Sequence, residues 1–466
     1  MGSFPQINDF LGKRVHMVGI GGSSMSGLAL LLRQNGFTIT GSDCVPSHHL
    51  EMLEETGIIV YSSHDANHVH GADILLYSAA ISDDNPERAE AKRLGIPQLE
   101  RAVLLGQLMD RYLKSVAVCG THGKTTTSAM LAKILIDAKI DPTVHIGGDC
   151  NHIGGSTRVG KGDYFLAEAC EFNAGFINIH PFYAVVLNID RDHLDFYRDI
   201  DEICDAFSTF VQSIPSEGLV IGCGDDERVM HVLSTARCRA ESFGIGDNCD
   251  WRADDIHLSD NGNPVFTVNY KKQIIGSVCL AVKGYHNVSN ALAAVAMATR
   301  IGVHSEEALR SIAGFMGVHR RFEHTSTIQG VMLYHDYGHN PAEMLTALAT
   351  AKTQPHRRLW AVMQPHTYSR VKSLYSEYLT CTHLADITLV TDIFAAREKD
   401  PGDINARMLV QAMRNKGINA VYTPTFDDTE SYLRLNWQAG DLVLTMGCGN
   451  IDLLNEQIYK NETARC

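Results

Sequence analysis

The stretch Ser115–Met130, "SVAVCGTHGKTTTSAM", decides the fold. An apolar run leads through two glycines and a lysine into a threonine-rich segment of helical spacing. A common phosphate-binding loop has a glycine five positions before its Gly-Lys pair. Here that place is Val118, inside the apolar run. The loop begins instead at Gly120 and is two residues shorter: Gly120-Thr121-His122-Gly123-Lys124-Thr125. A glycine-rich turn between strand and helix aims backbone N–H groups and the helix dipole at an anion. Lys124 can neutralise phosphate charge, and the Thr125 hydroxyl can ligate Mg²⁺. The competing reading is an ordinary turn with a chance Gly-Lys. The strand before, the helix after and the run Thr125-Thr126-Thr127 weigh against it.

Working outward, the same alternation recurs. Towards the N-terminus, "RVHMVGI" reads as a buried strand running into glycines. "SMSGLALLLRQNG" reads as a helix stopped by Gly36, "FTITGSD" as a strand ending at Asp43, and "ADILLYSAAI" as another strand. Strand–helix–strand alternation predicts a parallel, doubly wound sheet. Downstream of the loop, the helix buries Met130, Leu131, Ile134, Leu135 and Ala138 at helical spacing. Strands follow at "YFLAEA" and "AVVLNI", and a buried helix at "NALAAVAMATRI". A Gly-rich, basic connection, "GFMGVHRRFE", then leads to "VMLYHDYG", "RLWAVMQ", "ADITLVTDI" and "DLVLTMGCG", strands of a third α/β unit. The expected fold class is α/β with three domains: residues 1–108 Rossmann-like, 109–319 a central P-loop ATPase domain, and 320–466 Rossmann-like.

Bulk properties narrow the function. The 466 residues carry 40 basic and 54 acidic side chains, a net charge of −14. Nucleic acid and anionic membranes reward clustered Lys/Arg, so neither is expected as a partner. Twelve cysteines are scattered without a CxxC pair, which argues against a zinc or disulfide framework and for reduced cytosolic thiols. The N-terminal stretch lacks a signal peptide's apolar segment, and no run approaches the ~20 apolar residues of a membrane span. A cytoplasmic location is the expectation.

Candidate metal ligands stand at strand ends beside the loop. Glu168 closes "YFLAE", and His193 lies in "NIDRDHLD". In open α/β sheets ligands bind outside the carboxyl ends of the strands. The first unit carries Gly19-Ile20-Gly21-Gly22-Ser23-Ser24, with Ser24 where a dinucleotide fingerprint wants glycine or alanine, and Asp43 where a ribose-binding acid belongs. NAD and any other pyrophosphate ligand fit that turn equally. In the third unit, "YHDYGHNPAE" and "QPHTYSR" follow strands and are dense in Asp, His, Tyr and Arg, unlike packing segments.

Together, "VGIGGSSMSG", "TGSD", "VCGTHGKTTTSAM", "LAEACE", "NIDRDHLD", "GYHNVSNALAA", "GVHRRFE", "YHDYGHNPAE" and "QPHTYSR" resemble, in this order, the Mur ligases, which add amino acids to a UDP-muramyl peptidoglycan precursor. The shortened loop is the form this family uses. The resemblance implies ATP and Mg²⁺ as cofactors and UDP-N-acetylmuramate as a substrate. "GIGGSSMSG" favours L-alanine as the added amino acid and a monomer or weak homodimer is implied. Carried over by motif, Gly120, Thr121, His122, Gly123, Lys124, Thr125 and Thr126 bind ATP, with His286, Asn287, Asn290, Arg321 and Asp336. Thr125, Glu168 and His193 hold metal. Lys124, Glu168, His193, Arg321, His339 and His366 form the catalytic set. Gly21, Gly22, Ser23, Asp43 and Ser78 receive the UDP-sugar, and Tyr337, His366 and Arg370 the amino acid. The chain departs from the family at Cys170 and Phe172 ("EACEF" for "EADES"), at "YGHNP" for "YAHHP" and at "GCGNI" for "GAGDI". Three alternatives stand: a ligase attaching a whole tripeptide to the same UDP-sugar, an NAD-binding dehydrogenase or sensor, and a P-loop ATPase that forms no bond. The dehydrogenase reading has no use for the P-loop, and the ATPase reading none for the His-rich third unit.

Overall fold

The computed structural model describes residues 4–192, 196–396 and 398–464. They form three sheets. The first holds β1 (Arg14–Val18), β2 (Thr38–Ser42), β3 (Ile59–Tyr61), β4 (Ile74–Tyr77) and β5 (Gln98–Glu100), in the order β3-β2-β1-β4-β5 and all parallel. Its helices are α1 (Ser23–Gln34), α2 (His48–Glu55), α3 (Pro86–Leu94) and α4 (Arg101–Met109). The strand order reverses between β1 and β4. The crevice this opens at their carboxyl ends takes the Gly19–Gly22 turn from one strand and Ser78 from the other.

The second sheet contains β6 (Lys114–Cys119), β7 (Thr143–Cys150), β8 (Gly155–Arg158), β9 (Tyr164–Glu168), β10 (Tyr183–Val186), β11 (Leu219–Cys223), β12 (Arg239–Gly244), β13 (Trp251–Leu258), β14 (Pro264–Tyr270) and β15 (Gln273–Cys279). Its order is β15-β14-β13-β12-β11-β10-β6-β9-β7-β8. Helices α5 (Lys124–Asp137), α6 (Ile200–Gln212), α7 (Glu227–Leu233), α8 (His286–Arg300) and α9 (Ser305–Ala313) accompany it. β6 runs parallel between β9 and β10 and is buried from Ser115 to Cys119, the apolar run Val116–Cys119 being what a central strand of such a sheet requires. Its carboxyl end therefore delivers the phosphate-type loop between the ends of two other strands. The alanine-rich stretch Ala291–Ala298 of α8 is buried all round, and the small side chains permit that close packing.

The third sheet runs β16-β17-β21-β18-β19-β20, from β16 (Glu323–Ile328), β17 (Val331–Asp336), β18 (Leu359–Met363), β19 (Ile387–Val390), β20 (Ala420–Tyr422) and β21 (Leu442–Met446). Its principal helices are α10 (Pro341–Lys352), α11 (Tyr368–Ser373), α12 (Tyr375–Tyr378), α13 (Ala406–Asn415), α14 (Phe426–Asn436) and α15 (Asp452–Thr463). The parallel strands β17, β21 and β18 end side by side, so the segments beginning Tyr337, Gly447 and Gln364 leave the same edge. By packing, the chain divides into two units: Met1–Asp254, Thr267–Val278 and Ser289–Phe315, and Asp255–Phe266, Cys279–Val288 and Met316–Cys466.

Three details differ from the sequence expectation. The strand expected over "ADILLYSAAI" stops at Tyr77, because Ile81 N–H turns back to Ser78 O. Helix α5 begins at Lys124 and ends at Asp137, leaving Ala138 as its half-buried cap. Antiparallel pairing also enters, at β7–β8 and β16–β17, where only parallel units were read.

Candidate active site

In the first unit the Gly120–Lys124 loop is fixed by geometry only glycine accepts. Gly120 has φ +138°, and a Cβ there would lie 2.9 Å from the Leu187 Cβ. Gly123 has φ +83°, and its Cβ would lie 2.6 Å from Asn290 Oδ1. Such φ values carry steric strain for any residue with a Cβ. Asn188, just past β10, clamps the loop: its Oδ1 accepts from His122 N–H at 2.7 Å and its Nδ2 donates to His122 O at 3.0 Å. Thr121 Oγ1 accepts from Asp190 N–H at 2.9 Å. The His122 imidazole lies 3.8 Å from the Asp190 carboxylate and is the first cause holding the Asp190 carboxyl below its ordinary range.

Lys124 opens α5 and folds over its own loop. Its Nζ donates to Gly120 O, to Thr121 O at 2.9 Å and to Glu171 Oε1 at 3.0 Å. Both partners of the Lys124–Glu171 pair are mostly buried, at 11% and 3% side-chain exposure. Burial pulls the Lys124 pKa down, but the neighbouring charge of Glu171, with Cys170 and Glu168, more than offsets it and the net shift is upward. The ammonium is therefore charged at any working pH. Beside it, Glu168 Oε2 accepts from Thr125 Oγ1 at 2.9 Å and from Gly147 N–H at 2.8 Å. A Cβ on Gly147 would stand 2.8 Å from that oxygen.

This donor set tests the expected metal. Thr125 and Glu168 offer hard oxygens within one hydrogen bond of each other, the chemistry Mg²⁺ prefers. His193 and the two residues after it lie outside the described residues. Thr126 stays in the first turn of α5. Glu171 and Asn188 are site residues that reading the sequence missed. A buried P-loop lysine demands a counter-charge, and the second glutamate of "LAEACE" was the available signal.

The first sheet's crevice gathers the residues assigned to the UDP-sugar. Gly19 has φ +76°, and its Cβ would meet Ser78 Oγ at 3.8 Å. Asp43 accepts from Gly21 N–H at 3.0 Å and from Val45 N–H at 3.0 Å, so its carboxylate braces the turn. Gly22 caps α1, and Ser23 is its first residue. Ser23 Oγ donates to Gly147 O at 3.3 Å.

In the second unit, Asp336 ends β17. Its two oxygens take Phe322 N–H at 2.8 Å and Gly338 N–H at 2.7 Å, and burial raises its pKa. The guanidinium groups of Arg320 and Arg321 lie 5.0 and 4.8 Å from the Tyr337 ring centre. Burial pushes the Tyr337 phenol up to about 12. Arg320 also donates to Gly449 O at 2.8 Å and to His335 Nε2 at 3.1 Å. His339 and His366 lie with ring centres 5.8 Å apart. His339 Nδ1 faces two acceptors, Tyr337 O and Glu343 Oε2, each at 3.3 Å, so the ring proton belongs on Nδ1. His366 Nδ1 receives a hydrogen bond from Arg370 Nη1 at 3.1 Å, which puts its proton on Nε2. Thus Tyr337, His339, His366 and Arg370 come together. Asp336 binds one backbone amide of that loop, Gly338 N–H, and one from ahead of β16, Phe322 N–H. Asn287 Nδ2 donates to Lys283 O at 2.7 Å, and burial, then Arg321, pushes His286 down to about 4.

Parallel-rich sheets, a shortened glycine-rich loop and carboxylates on its lysine and threonine define a three-sheet α/β protein with a candidate anion site at that loop. Profiles of the Mur ligase family match most of the chain: the catalytic domain over residues 14–113, the middle domain over 118–298 and the glutamate ligase domain over 320–449. The chain belongs to the Mur ligase family. It is 46% identical over 448 residues to the UDP-N-acetylmuramate–L-alanine ligase of Caldanaerobacter subterraneus subsp. tengcongensis, covering 96% of this chain and 97% of that one. To the enzyme of the same name from Acetivibrio thermocellus it is 43% identical, covering 97% and 96%. Among solved structures, UDP-N-acetylmuramate-alanine ligase MurC from Thermotoga maritima superposes with a TM-score of 0.84 at 25% identity, over 97% of this chain and 100% of that one. A murein peptide ligase from Psychrobacter arcticus gives 0.74 at 25%, over 96% and 98%.

Proposed function

We propose that this chain joins L-alanine to the lactyl carboxylate of UDP-N-acetylmuramate, converting ATP to ADP and phosphate. The observation that carries this reading is the Lys124–Glu171 and Thr125–Glu168 arrangement, in a chain similar over nearly its whole length to L-alanine ligases.

A carboxylate is a poor electrophile, because its charge repels an amine and oxide is no leaving group. The lactyl carboxylate oxygen attacks the γ-phosphorus of ATP, ADP leaves, and an acyl phosphate results. The alanine amine then attacks the acyl carbon, and phosphate departs as the amide forms. Lys124 stays charged throughout and offsets negative charge on the phosphoryl group. The N–H groups at the start of α5 point the same way. Thr125 and Glu168 would hold Mg²⁺, with His193 assigned beside them by the resemblance; bound there, Mg²⁺ supplies charge that stabilises the transferring phosphoryl group. The amine must lose a proton before it attacks. His339, protonated on Nδ1, presents the Nε2 lone pair as base, whereas His366 presents an Nε2–H donor suited to the alanine carboxylate, with Arg370 behind it. The Gly19–Ser23 turn, Asp43 and Ser78 take the UDP-sugar. We place the reaction in the cytoplasm. Among the described residues no helix is long and apolar enough to cross a membrane.

The test is to supply UDP-N-acetylmuramate and ATP with single amino acids or the tripeptide and to follow phosphate release. Alanine should support the fastest release. Preference for the tripeptide would overturn the substrate assignment. With ¹⁸O in the sugar's carboxylate, one label should leave in phosphate; retention of all label in the product would exclude the acyl phosphate.

A further inference from the structure

The first unit carries a chain of contacts that none of the steps above uses. Ser24 holds the place where a dinucleotide fingerprint has a small residue for close helix packing. Here its hydroxyl is engaged. Arg101, which can only donate, gives Nη1–H to Ser24 Oγ at 3.2 Å. The Ser24 hydroxyl keeps its own proton and can donate it onward to His145 Nε2, at 2.8 Å, in the tautomer with the ring proton on Nδ1. His145 Nδ1–H completes the chain to Thr157 Oγ1 at 2.9 Å. Burial, then the Arg101 charge, pushes His145 down to about 3, in keeping with a neutral ring.

One residue earlier, Ser23 Oγ donates to Gly147 O at 3.3 Å, and Ser156 Oγ donates back to Ser23 O at 3.4 Å. Gly27 lies against Thr157 with no room for a Cβ. Helix α1 thus grips β7 at His145 and again at Gly147. Gly147 is also the residue whose N–H holds Glu168 Oε2, the oxygen that accepts the Thr125 hydroxyl. A hydrogen-bonded path runs Ser23–Gly147–Glu168–Thr125 from the crevice of the first sheet to the P-loop.

We propose that Ser23 is a positioning residue for Glu168: acting through Gly147, it couples the anion-binding turn of the first sheet to the carboxylate that serves the nucleotide's metal. This rests on the nucleotide reading above. Because coupling free energies are reciprocal, an anion that draws on Ser23 would change the affinity for metal-bound nucleotide, and the converse.

Titration calorimetry tests this with Mg²⁺–ADP as probe, in the absence of UDP-sugar and alanine. The Ser23→Ala variant should raise the Kd for Mg²⁺–ADP about fivefold, the order expected for one lost hydrogen bond. Ser23→Thr should restore it, and ADP without Mg²⁺ should bind both proteins equally. Ser24→Ala cuts the ties to Arg101 and His145 and leaves that of Ser23 to Gly147 in place. It should lower the melting temperature and change the Mg²⁺–ADP Kd less than about twofold. An unchanged Mg²⁺–ADP Kd in Ser23→Ala, with only the KM for UDP-N-acetylmuramate raised, would make Ser23 a plain substrate contact. Equal losses with and without Mg²⁺, or in both variants, would reduce the effect to general loosening. No ligation occurs in these mixtures, so a wrong choice of ligated substrate would leave the result intact. Failure of the unaltered protein to bind Mg²⁺–ADP at all would overturn the nucleotide reading, and this proposal with it.

Discussion

The chain makes two glycine-rich turns that look alike on paper, Gly19–Ser24 and Gly120–Thr125, each between a strand and a helix. Their chemistry differs. The second turn is built around charge: a buried ammonium, Lys124, lies against Glu171, and Glu168 stands on Thr125. The first contains no lysine or arginine of its own, and the cation that reaches it, Arg101, binds Ser24 Oγ without a buried counter-charge of the Lys124–Glu171 kind. Its own acid, Asp43, binds the Gly21 and Val45 amides, and its serines are tied to β7 by neutral hydrogen bonds. On the proposed function both glycine patterns bring backbone N–H groups close to an anion. The side chains around it decide whether that anion is only held or is also activated.

Removing the charge should break the comparison most sharply. In Lys124→Ala the loop keeps its glycines and loses its cation, so turnover should fall by about 10²–10³ or more, the scale of losing one preorganised electrostatic group. The variant also breaks the buried Lys124–Glu171 ion pair, and stability should drop by up to about 3–5 kcal/mol. Phosphate release and a melting curve read the two effects. Turnover near normal in a folded variant would take the loop out of the chemistry.

Acid should separate the two regions by a different route. His145, in the hydrogen-bonded chain beside the first turn, is held down to about 3, and in the second unit His335 sits at about 3 and His286 at about 4, all chiefly by burial. Their folded pKa values lie below the unfolded value of about 6.5. The stability they confer is thus complete above that pH and is lost as pH falls towards 3, because the unfolded chain takes up the protons. Each contributes a slope of up to about 1.4 kcal/mol per pH unit. His145→Gln should flatten the fall in melting temperature between pH 6.5 and 4 relative to the unaltered protein. An identical slope in both would clear His145 of any part in acid lability.

Glycine itself provides a finer contrast. Gly123 combines φ +83° with a Cβ position 2.6 Å from Asn290 Oδ1, so Gly123→Ala should cost about 1–3 kcal/mol and weaken ATP binding. At Gly21 the φ is ordinary, and a Cβ would meet the movable side chains of Asp43 and Leu50 at 2.9 Å. Gly21→Ala should cost less, with its effect confined to UDP-sugar binding. Equal losses of ATP affinity in the two variants would erase the distinction.

How much of this was legible follows the same division. The P-loop and its flanking elements were readable because the glycines, the lysine and the threonines are local and fall between a strand and a helix. Glu168 was readable as the acid closing a strand. Glu171 was not singled out, because its role depends on a turn after β9 that brings it back over Lys124 from 47 residues away in sequence. Asn188 was missed because an asparagine after a strand looks like any loop residue, and its clamp on His122 spans 66 positions. Ser24 read as a flaw in a dinucleotide motif, since its partner His145 lies 121 residues downstream. Periodicity and turn chemistry report on neighbours along the chain, and these groups take their meaning from neighbours across it.

The smallest expected effect concerns Asp43, and it asks what an acid is for in the first turn. In the dinucleotide reading a carboxylate at the end of β2 holds a ribose hydroxyl. Here its two oxygens each take a backbone N–H, from Gly21 and from Val45, at 3.0 Å. An amide can replace only one of those acceptors, and its NH₂ group would face a donor. Asp43→Asn should therefore cost about 1 kcal/mol of stability, the net value of one hydrogen bond. The variant also removes a negative charge from beside a turn assigned to a diphosphate, which would favour anion binding and offset part of the loss. The KM for UDP-N-acetylmuramate should thus change by less than about threefold, while the KM for ATP stays fixed. A tenfold or larger rise in the sugar's KM, with stability untouched, would show that Asp43 grips the ligand rather than the turn. The two glycine-rich turns would then both use their carboxylates on what they bind.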